Sequence, residues 1–289
     1  LGDVYKRQVN NSGYIKITVL LDNSEFSYFS VDEIGNGYYD IHIDTWYLDD
    51  IGTYTFIIWV NWTNNGQFQN RSISISVIVK ARATQFSYGT PEAVPYGAIV
   101  EIPLYYYDLD RNGMGISNTS AYYGGLHLRC WAIVDNNLSE TSYTVVEVAW
   151  GEFILKINTS AIKMNRIGYH TVDVNMSWIG KPFLSNKSLT VMFNIRQVYT
   201  DYSILIGNES TLVYAGWPWG VNVTVTINYL DTDFSRNVYN SYIIVTGELV
   251  YDNDNYTVTN YNNGTFIIII NGFSPQHGIN YRFNVILYK

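Results

Sequence analysis

Apolar and polar residues alternate with a period of two along most of this 289-residue chain. Successive side chains of a β-strand point to opposite faces of a sheet, so this period predicts strands with one buried face. The clearest runs are Val100, Ile102, Leu104 and Tyr106, and later Val223, Val225, Ile227 and Tyr229. The 27 Tyr, 12 Phe and 8 Trp residues also favour strands, because aromatic side chains fit a half-buried pleated surface. The pattern therefore predicts an all-β protein.

One stretch of the chain occurs twice. Its first copy begins at 37–45 with GYYDIHIDT, and its second begins at 151–159 with GEFILKINT, 114 residues later. A second segment, which ends in the Asp-x-Asp sequence at 108–110, recurs 123 residues later and ends in Asp-x-Asp at 231–233. Because the matching residues of the two copies recur at a nearly constant offset over many positions, the chain is predicted to be a string of similar modules.

The repeats divide the chain into three predicted modules. Module 1 is 9–80 and lacks its beginning, module 2 is 81–196 and is complete, and module 3 is 197–289 and lacks its last strand. Residues 1–8 fit no repeat and are interpreted as a non-native or disordered leader. The linkers at 81–84 and 197–200 are short and contain neither Gly nor Pro, which favours a semi-rigid row of modules.

A short motif indicates which all-β fold the modules adopt. Short strands separated by turns, about seven per module, predict a β-sandwich. The segment 50–56, DIGTYTF, resembles the Asp-x-Gly-x-Tyr-x-Cys tyrosine corner of immunoglobulin domains, with Phe56 at the cysteine position. His170 and Asn280 stand where Tyr54 stands, so the corner is not kept in every module. The predicted fold class is tandem immunoglobulin-like β-sandwich modules, the first and the last truncated.

The ordered set of motifs resembles a known family. The motifs are Pro-[Trp/Tyr]-Gly at 95–97 and 218–220, Tyr-x-Asp-x-Asp at 106–110 and 229–233, and Asn-Gly before an alternating strand. In this order they are similar to the tandem immunoglobulin-like repeats of large archaeal cell-surface proteins of the S-layer-like or adhesin-like kind. The resemblance covers roughly 10–289. It implies an extracellular stalk or envelope role, and it carries over no catalytic residue.

Charge and composition exclude several kinds of partner. The net charge is −8, the pI is near 4.9 and there is no run of basic residues, so nucleic acids and anionic membranes are poor partners. No apolar run reaches the ~20 residues of a membrane helix, so a membrane is expected only through parts of the protein outside this sequence. The expected partners are other surface proteins or glycans.

The single cysteine, Cys130, cannot close a disulfide within the chain. It lies in an alternating stretch that is typical of a strand, which favours a small buried hydrophobic residue. The alternative is a reactive or intermolecular thiol.

Asn-x-Ser/Thr sequons are more frequent than the Asn, Ser and Thr content alone explains. Twelve are present, one of them at Asn10. The predicted glycosylation sites are Asn61, Asn70, Asn118, Asn137, Asn158, Asn175, Asn186, Asn208, Asn222, Asn255 and Asn263. In the strand pattern, Asn61, Asn158, Asn175 and Asn222 fall on the solvent side, where a bulky glycan fits. Glycosylation would imply export, and the alternative is an Asn- and Thr-rich strand surface with accidental sequons.

One acidic turn has the spacing of a calcium loop. Asp108, Asp110 and Asn112 place oxygen atoms at the first, third and fifth positions, and Gly113 follows. The twelfth position is Thr119 rather than a bidentate Glu, and the copy in module 3 lacks the glycine. Calcium binding and a polar turn between strands are therefore both open interpretations.

Two tryptophans have no aromatic counterpart in the other modules. Trp150 and Trp217 are therefore the predicted surface aromatics for a ligand such as a sugar ring. No nucleophile elbow, phosphate loop or Cys-x-x-Cys motif occurs, and the four histidines are scattered. The sequence therefore predicts a non-catalytic structural region of an extracellular surface protein. The alternative is a carbohydrate- or protein-binding accessory module of a secreted enzyme.

Overall fold

The structure of the chain, a computed structural model, describes residues 15–35, 37–63, 69–119, 128–135, 143–161, 166–207, 220–247, 256–271 and 283–289. Strands dominate these ranges, and the only helical segments in them are single 3-10 turns at Thr45–Tyr47, Leu109–Arg111 and Thr159–Ala161. In the same ranges no helix has the length and apolar character needed to cross a membrane. The predicted all-β class is confirmed.

The strands of 9–80 form two sheets. In chain order they are β1 (Ile15–Leu21), β2 (Ser24–Glu25), β3 (Phe29–Gly35), β4 (Tyr38–Ile43), β5 (Gly52–Trp62) and β6 (Arg71–Val79). The larger sheet has the order β2-β1-β5-β6, and β3 pairs with β4 in a hairpin. Val19 and Phe56 of the larger sheet are fully buried, and Ile41 of the hairpin packs against their cluster. Two sheets packed face to face make this region a β-sandwich.

The tyrosine corner predicted from 50–56 is present. The Tyr54 hydroxyl donates a hydrogen bond to the Asp50 carbonyl oxygen at 2.8 Å and accepts one from the Asp50 N–H at 3.1 Å. This link to the backbone just upstream is the feature that marks immunoglobulin-like sandwiches. At the equivalent place His170 is 3% exposed, and its Nδ1 lies 2.7 Å from the Asp135 carboxylate. Asn280 lies outside the described residues.

The strands of 81–196 also form two sheets. They are β7 (Thr84–Tyr88), β8 (Val94–Pro95), β9 (Ile99–Asp108), β10 (Met114–Gly115), β11 (Leu128–Val134), β12 (Tyr143–Ala149), β13 (Glu152–Asn158), β14 (Gly168–Trp178) and β15 (Lys187–Arg196). One sheet is β10-β9-β13-β12, with β7 also paired to β9, and the other is β11-β14-β15-β8. Val100, Ile102, Leu104 and Tyr106 are all fully buried, which confirms the predicted strand and its inward face.

The strands of 197–289 repeat this plan. They are β16 (Thr200–Ile206), β17 (Val223–Asp231), β18 (Arg236–Asn237), β19 (Tyr242–Gly247), β20 (Tyr256–Asn260), β21 (Thr265–Ile270) and β22 (Phe283–Tyr288). One sheet is β16-β17-β21-β20, with β18 paired to β17, and β19 pairs with β22. Val225 and Ile227 of β17 form a core with Phe266 and Ile268 of β21, against which Val245 of β19 packs.

A glycine occupies the same place in two hairpins. Gly151 lies between β12 and β13 at φ 77°, and Gly264 lies between β20 and β21 at φ 82°. The carbonyl oxygen of Gly151 accepts from the Tyr106 N–H at 2.8 Å, and that of Gly264 accepts from the Tyr229 N–H at 2.7 Å. The sequence repeat is therefore also a repeat of backbone geometry.

The chain forms two compact units. The first comprises Leu1–Glu92, Ile99–Lys163 and His170–Phe193, and the second comprises Ala93–Ala98, Met164–Tyr169 and Asn194–Lys289. Among the described residues, the strands of each sheet come from a single predicted module. The module boundaries themselves stay predictions.

Candidate functional site

The Asp-x-Asp segment after β9 binds the linker that precedes β7. Asp110 Oδ2 accepts a hydrogen bond from the Ala83 N–H at 2.7 Å, and the Leu109 N–H donates to the Ala83 carbonyl oxygen at 2.9 Å. The Asp108 carboxylate is fully buried and lies 3.2 Å from the guanidinium of Arg82. The 3-10 turn thus satisfies both backbone polar groups of Ala83, which a linker packed on a module requires.

The same arrangement occurs after β17. Asp233 Oδ2 accepts from the Tyr199 N–H at 2.7 Å, and the Thr232 N–H donates to the Tyr199 carbonyl oxygen at 3.0 Å. Asp231, the counterpart of Asp108, is nearly buried and accepts from Arg236 Nε at 3.2 Å. The repeated motif therefore has a repeated role, because its second carboxylate binds the backbone of the preceding linker in both places.

Arg196 strengthens the second of these linkers. Its Nη1 and Nη2 atoms lie 2.8 and 2.7 Å from the two oxygens of Asp233, and its guanidinium stacks 4.0 Å from the centre of the Tyr199 ring. The hydrogen bond from Arg196, together with that from the Tyr199 N–H, lowers the pKa of Asp233 from 3.8 to about 2. A bidentate pair of this kind fixes the orientation of the two side chains and also compensates their charges.

Asp233 should make stability depend on pH in acid. Its pKa is lower in the folded state than its ordinary value of 3.8, so its contribution is fully present above that value. The contribution is then lost as the pH falls through about 2. Urea unfolding across this range should give a flatter curve for Asp233→Asn than for the unmodified chain. Asp201→Asn, at an exposed position of β16, is the control, and parallel curves for all three proteins would contradict the assignment.

The residues predicted to bind calcium lie on one turn, and both of its carboxylates have protein partners. Arg82 faces Asp108 and the Ala83 N–H binds Asp110, while Asn112 adopts the left-handed conformation at φ 53°. Within the described ranges, no group of three His, Cys, Asp or Glu side chains is arranged to hold a metal ion. These contacts favour the polar-turn interpretation, and the calcium site stays a prediction.

We expect calcium to leave the thermal unfolding midpoint unchanged. A calcium ion at this turn would have to displace the Arg82 guanidinium and the Ala83 N–H from carboxylates that they already neutralise or satisfy. Calorimetry with calcium, with magnesium and with a chelator measures this. A midpoint that rises with calcium in the unmodified chain, but not in Asp110→Asn, would contradict the polar turn and support the calcium site.

The described sequons lie at several kinds of surface position. Asn158, Asn222 and Asn263 are exposed, and so are Asn70 and Asn186. Asn61, Asn118 and Asn175 are half-buried, so the strand pattern placed Asn61 and Asn175 less accurately than Asn158 and Asn222. Asn137, Asn208 and Asn255 lie outside the described residues, as does Asn10. Occupancy by glycans stays a prediction at all of them.

Two exposed sequons hold their asparagine side chain in a fixed orientation. Asn158 Oδ1 accepts from the Ser160 N–H at 3.0 Å and from the Ser160 hydroxyl at 2.7 Å, while Asn263 Oδ1 accepts from the Thr265 N–H at 3.0 Å. In each case the amide oxygen makes the local bond. This directs the amide nitrogen, the atom that carries an N-linked glycan, away from the turn.

Trp150 lies at the surface, and its role as a binding residue stays a prediction. It is 54% exposed and follows the exposed Val146 and Val148 of β12. Trp217 lies outside the described residues. Cys130 is half-buried, and burial raises the pKa of its thiol to about 12, which suppresses the reactive thiolate.

A group of basic residues in the first compact unit was not predicted from the sequence. Lys80, Arg82, Arg111 and Lys181 line a cavity of about 660 Å³. Its other lining residues are Asp44, Thr45, Trp46, Val79, Pro182 and Phe183. The signals in the sequence were the positions of Lys80 and Arg82 at the first linker boundary and of Arg111 directly after the Asp-x-Asp motif.

Comparison with known proteins gives no family assignment. No protein-family model matches the chain, and no curated protein is similar to it. Among solved structures, the extracellular cadherin domains 3–6 of protocadherin gamma B2 are 14% identical over 90% of this chain, with a TM-score of 0.29. This chain spans 58% of the length of that structure.

Two further solved structures are similar to the chain at the same level. The human desmocollin-1 ectodomain is 10% identical over 95% of this chain and 69% of its own, with a TM-score of 0.31. Domains 5–6 of the S-layer protein SbsC are 14% identical over 71% of this chain and 89% of their own, with a TM-score of 0.23. At these TM-scores the fold rests on the strand pairings and the tyrosine corner of this chain itself.

Proposed function

We propose that this chain is a non-catalytic structural and interaction region of an extracellular, N-glycosylated surface protein, where it forms part of a semi-rigid stalk or an envelope layer. The observation that carries the proposal is the fixation of both linkers. Asp110 binds the backbone of Ala83 and Asp233 binds the backbone of Tyr199, each at 2.7 Å. A linker whose peptide groups are bound by the module that follows moves as part of that module, which shortens the segment that could bend between modules.

The distribution of sequons supports an extracellular location. Five described sequons are exposed and lie at or close to strand ends, where a bulky glycan needs solvent. A glycan layer would also keep exposed strand edges from pairing with other chains. The partners that fit such a surface are other surface proteins or glycans.

Glycopeptide mapping of the protein from its native cell tests the location. We expect glycans at exposed Asn158, Asn186 and Asn222. Half-buried Asn118, whose N–H donates to the Glu147 carboxylate, is the internal comparison and should be modified less. Unmodified asparagine at every sequon would remove the support for export and would leave only the structural part of the proposal.

Hydrogen exchange tests the fixed linkers independently of glycans. The amides of Ala83 and Tyr199 should be protected, because each donates to a carboxylate. Asp110→Ala should expose the first amide and Asp233→Ala the second, with little effect on the other linker. Amides that exchange as fast as those of an unfolded chain would contradict a semi-rigid spacer.

The second candidate function is a carbohydrate- or protein-binding accessory module of a secreted enzyme. It is favoured by the exposed strip formed by Val146 and Val148 of β12 and by Trp150, which follows that strand. A glycan array that detects binding, with loss of the signal in Trp150→Ala, would favour this function over a spacer. Binding that is unchanged in Trp150→Ala would exclude this strip.

A further inference from the structure

Two exposed tryptophans lie on the outer faces of strands, next to half-buried sequon asparagines. Trp59 of β5 is 37% exposed, and Trp131 of β11 is 41% exposed. On β5, Phe56 and Ile58 face the core, so Trp59 and Asn61 share the opposite face. An indole on the outer face of a sheet is available to a ligand that has an apolar surface of its own.

The first tryptophan and its sequon lie along one strand. Trp59 and Asn61 are two residues apart on β5, which places their Cα atoms about 7 Å apart. The residues opposite Trp59 on the neighbouring strands are the small Thr18 of β1 and Ser72 of β6, which leave room beside the indole for a ring. A group attached to Asn61 Nδ2 therefore begins within reach of the Trp59 ring.

The second tryptophan and its sequon lie on neighbouring strands. Trp131 of β11 is directly opposite Asn175 of β14 in the antiparallel register. The Cβ atoms of directly opposite residues are about 5 Å apart. Val174 and Met176 of β14 are fully buried, so Asn175 and the exposed Trp131 lie on the outer face of this sheet. Two different strand arrangements thus place a sequon asparagine beside an exposed indole.

The side chains at both places are free to make a new contact. Within the described ranges, the side chains of Trp59, Asn61, Trp131 and Asn175 take part in no hydrogen bond, ion pair or ring contact. Each amide nitrogen is therefore available to carry a glycan, and neither indole has a ring partner to lose. Because the core lies on the other side of each strand, the half-burial of the two asparagines comes from neighbours on the outer face, the indole among them.

We propose that N-glycans on Asn61 and Asn175 fold back onto the protein, with the first sugar ring packed on the indole of Trp59 and of Trp131. The inference rests on the proposed glycosylation and extends it, because it assigns these glycans a binding site on their own module. A pyranose ring has a face of C–H groups, which packs on a flat aromatic surface as other apolar groups do. The contact removes apolar indole surface from water in the folded chain, so it should stabilise the module.

Fluorine NMR of the glycosylated full chain, labelled with 5-fluorotryptophan, tests the contact once mass spectrometry has given the occupancy of each sequon. Asn61→Gln should shift the Trp59 resonance and increase its solvent isotope shift, and Asn175→Gln should do the same to Trp131. Trp150, which is 54% exposed, is the internal control and should not respond. Replacing each tryptophan with Phe assigns its resonance.

The outcomes of this experiment separate the contact from the glycosylation. A tryptophan that does not respond while its sequon is occupied would overturn the packing at that site and leave the glycosylation intact. Empty sequons at Asn61 and Asn175 in the protein from its native cell would overturn this inference together with the glycosylation of these two residues.

A double-mutant cycle measures what the contact contributes to stability. Asn61→Gln should increase the unfolding equilibrium constant about threefold to tenfold when Trp59 is present, and hardly at all in Trp59→Ala. Trp59→Phe keeps an aromatic face and should retain most of the effect. The same cycle in the chain produced without glycans should show no coupling, because the asparagine side chain alone does not reach the ring face.

Asn158→Gln is the matched control for this cycle. Asn158 is an exposed sequon, and the residue opposite it on β9 is Ile99 rather than a tryptophan. Loss of its glycan should have the same effect on stability with Trp59 and with Trp59→Ala. Equal effects of Asn61→Gln in the presence and absence of Trp59, or the same coupling in the chain without glycans, would overturn the proposal.

Discussion

Gly151→Ala is expected to destabilise the protein by about 3 kcal/mol or more, at the upper end of what single substitutions do. Gly151 has φ 77°, where a side chain is strained. A Cβ atom there would lie 2.6 Å from the Gly115 Cα and 2.8 Å from the Tyr106 carbonyl oxygen. Both are backbone atoms and cannot rotate away. The substitution therefore forces the hairpin off the end of β9.

Gly264→Ala should have a similar effect, because its Cβ would lie 2.8 Å from the Tyr229 carbonyl oxygen. Gly180→Ala is the matched control, since Gly180 has the same φ of 77° and no atom lies within 4 Å of its Cβ position. The control should cost only the conformational strain, about 1 kcal/mol. Urea unfolding monitored by tryptophan fluorescence compares the three variants. Equal losses for Gly151→Ala and Gly180→Ala would show that strain alone, and not the close contact, sets the cost.

The local features of the fold could be predicted from the sequence because each is a short-range property. The alternation at Val100, Ile102 and Leu104 reports burial of one face directly, and all three are fully buried. The corner at Tyr54 depends on a residue only four positions away, so its motif is readable in one segment. The pattern was less accurate at Asn61 and Asn175, because alternation gives the face of a strand but not how crowded that face is.

The role of the Asp-x-Asp motif could not be predicted, because its partners are distant in the chain. The spacing of the two carboxylates is compatible with binding a cation and also with accepting a hydrogen bond from a backbone N–H, since each needs carboxylate oxygens at a turn. In the structure the partner of Asp110 is Ala83, which is 27 residues earlier in the chain and meets it only when β7 pairs with β9. In the second copy of the motif, the Tyr199 N–H likewise donates a hydrogen bond to Asp233.

The basic cavity was invisible in the sequence for a similar reason. Lys80 and Lys181 come from segments that the chain joins only through the fold. Neither segment contains a run of basic residues. A few cations can converge in a chain that is acidic as a whole, and composition does not report convergence.

Arg82→Ala is expected to destabilise the protein by about 3 kcal/mol, the loss typical when one partner of a buried ion pair is removed. The Asp108 carboxylate is fully buried and the Arg82 guanidinium is mostly buried, at 3.2 Å. Removing the guanidinium leaves the carboxylate with less compensation for its lost hydration. The backbone bonds of residue 82 to Phe183 and Ser185 do not involve the side chain and should persist. Urea unfolding at neutral pH measures the change.

Arg236→Ala is the matched control for this loss. Arg236 pairs with Asp231, the counterpart of Asp108 in the repeat, but its side chain is 61% exposed, so its removal should cost within about 1 kcal/mol. Adding Asp108→Asn to Arg82→Ala should restore part of the stability, because the uncompensated buried charge disappears. A double variant no more stable than Arg82→Ala would mean that lost packing of the arginine side chain, and not the buried charge, sets the cost. The Arg82–Asp108 pair would then stabilise the linker through side-chain packing and not through charge.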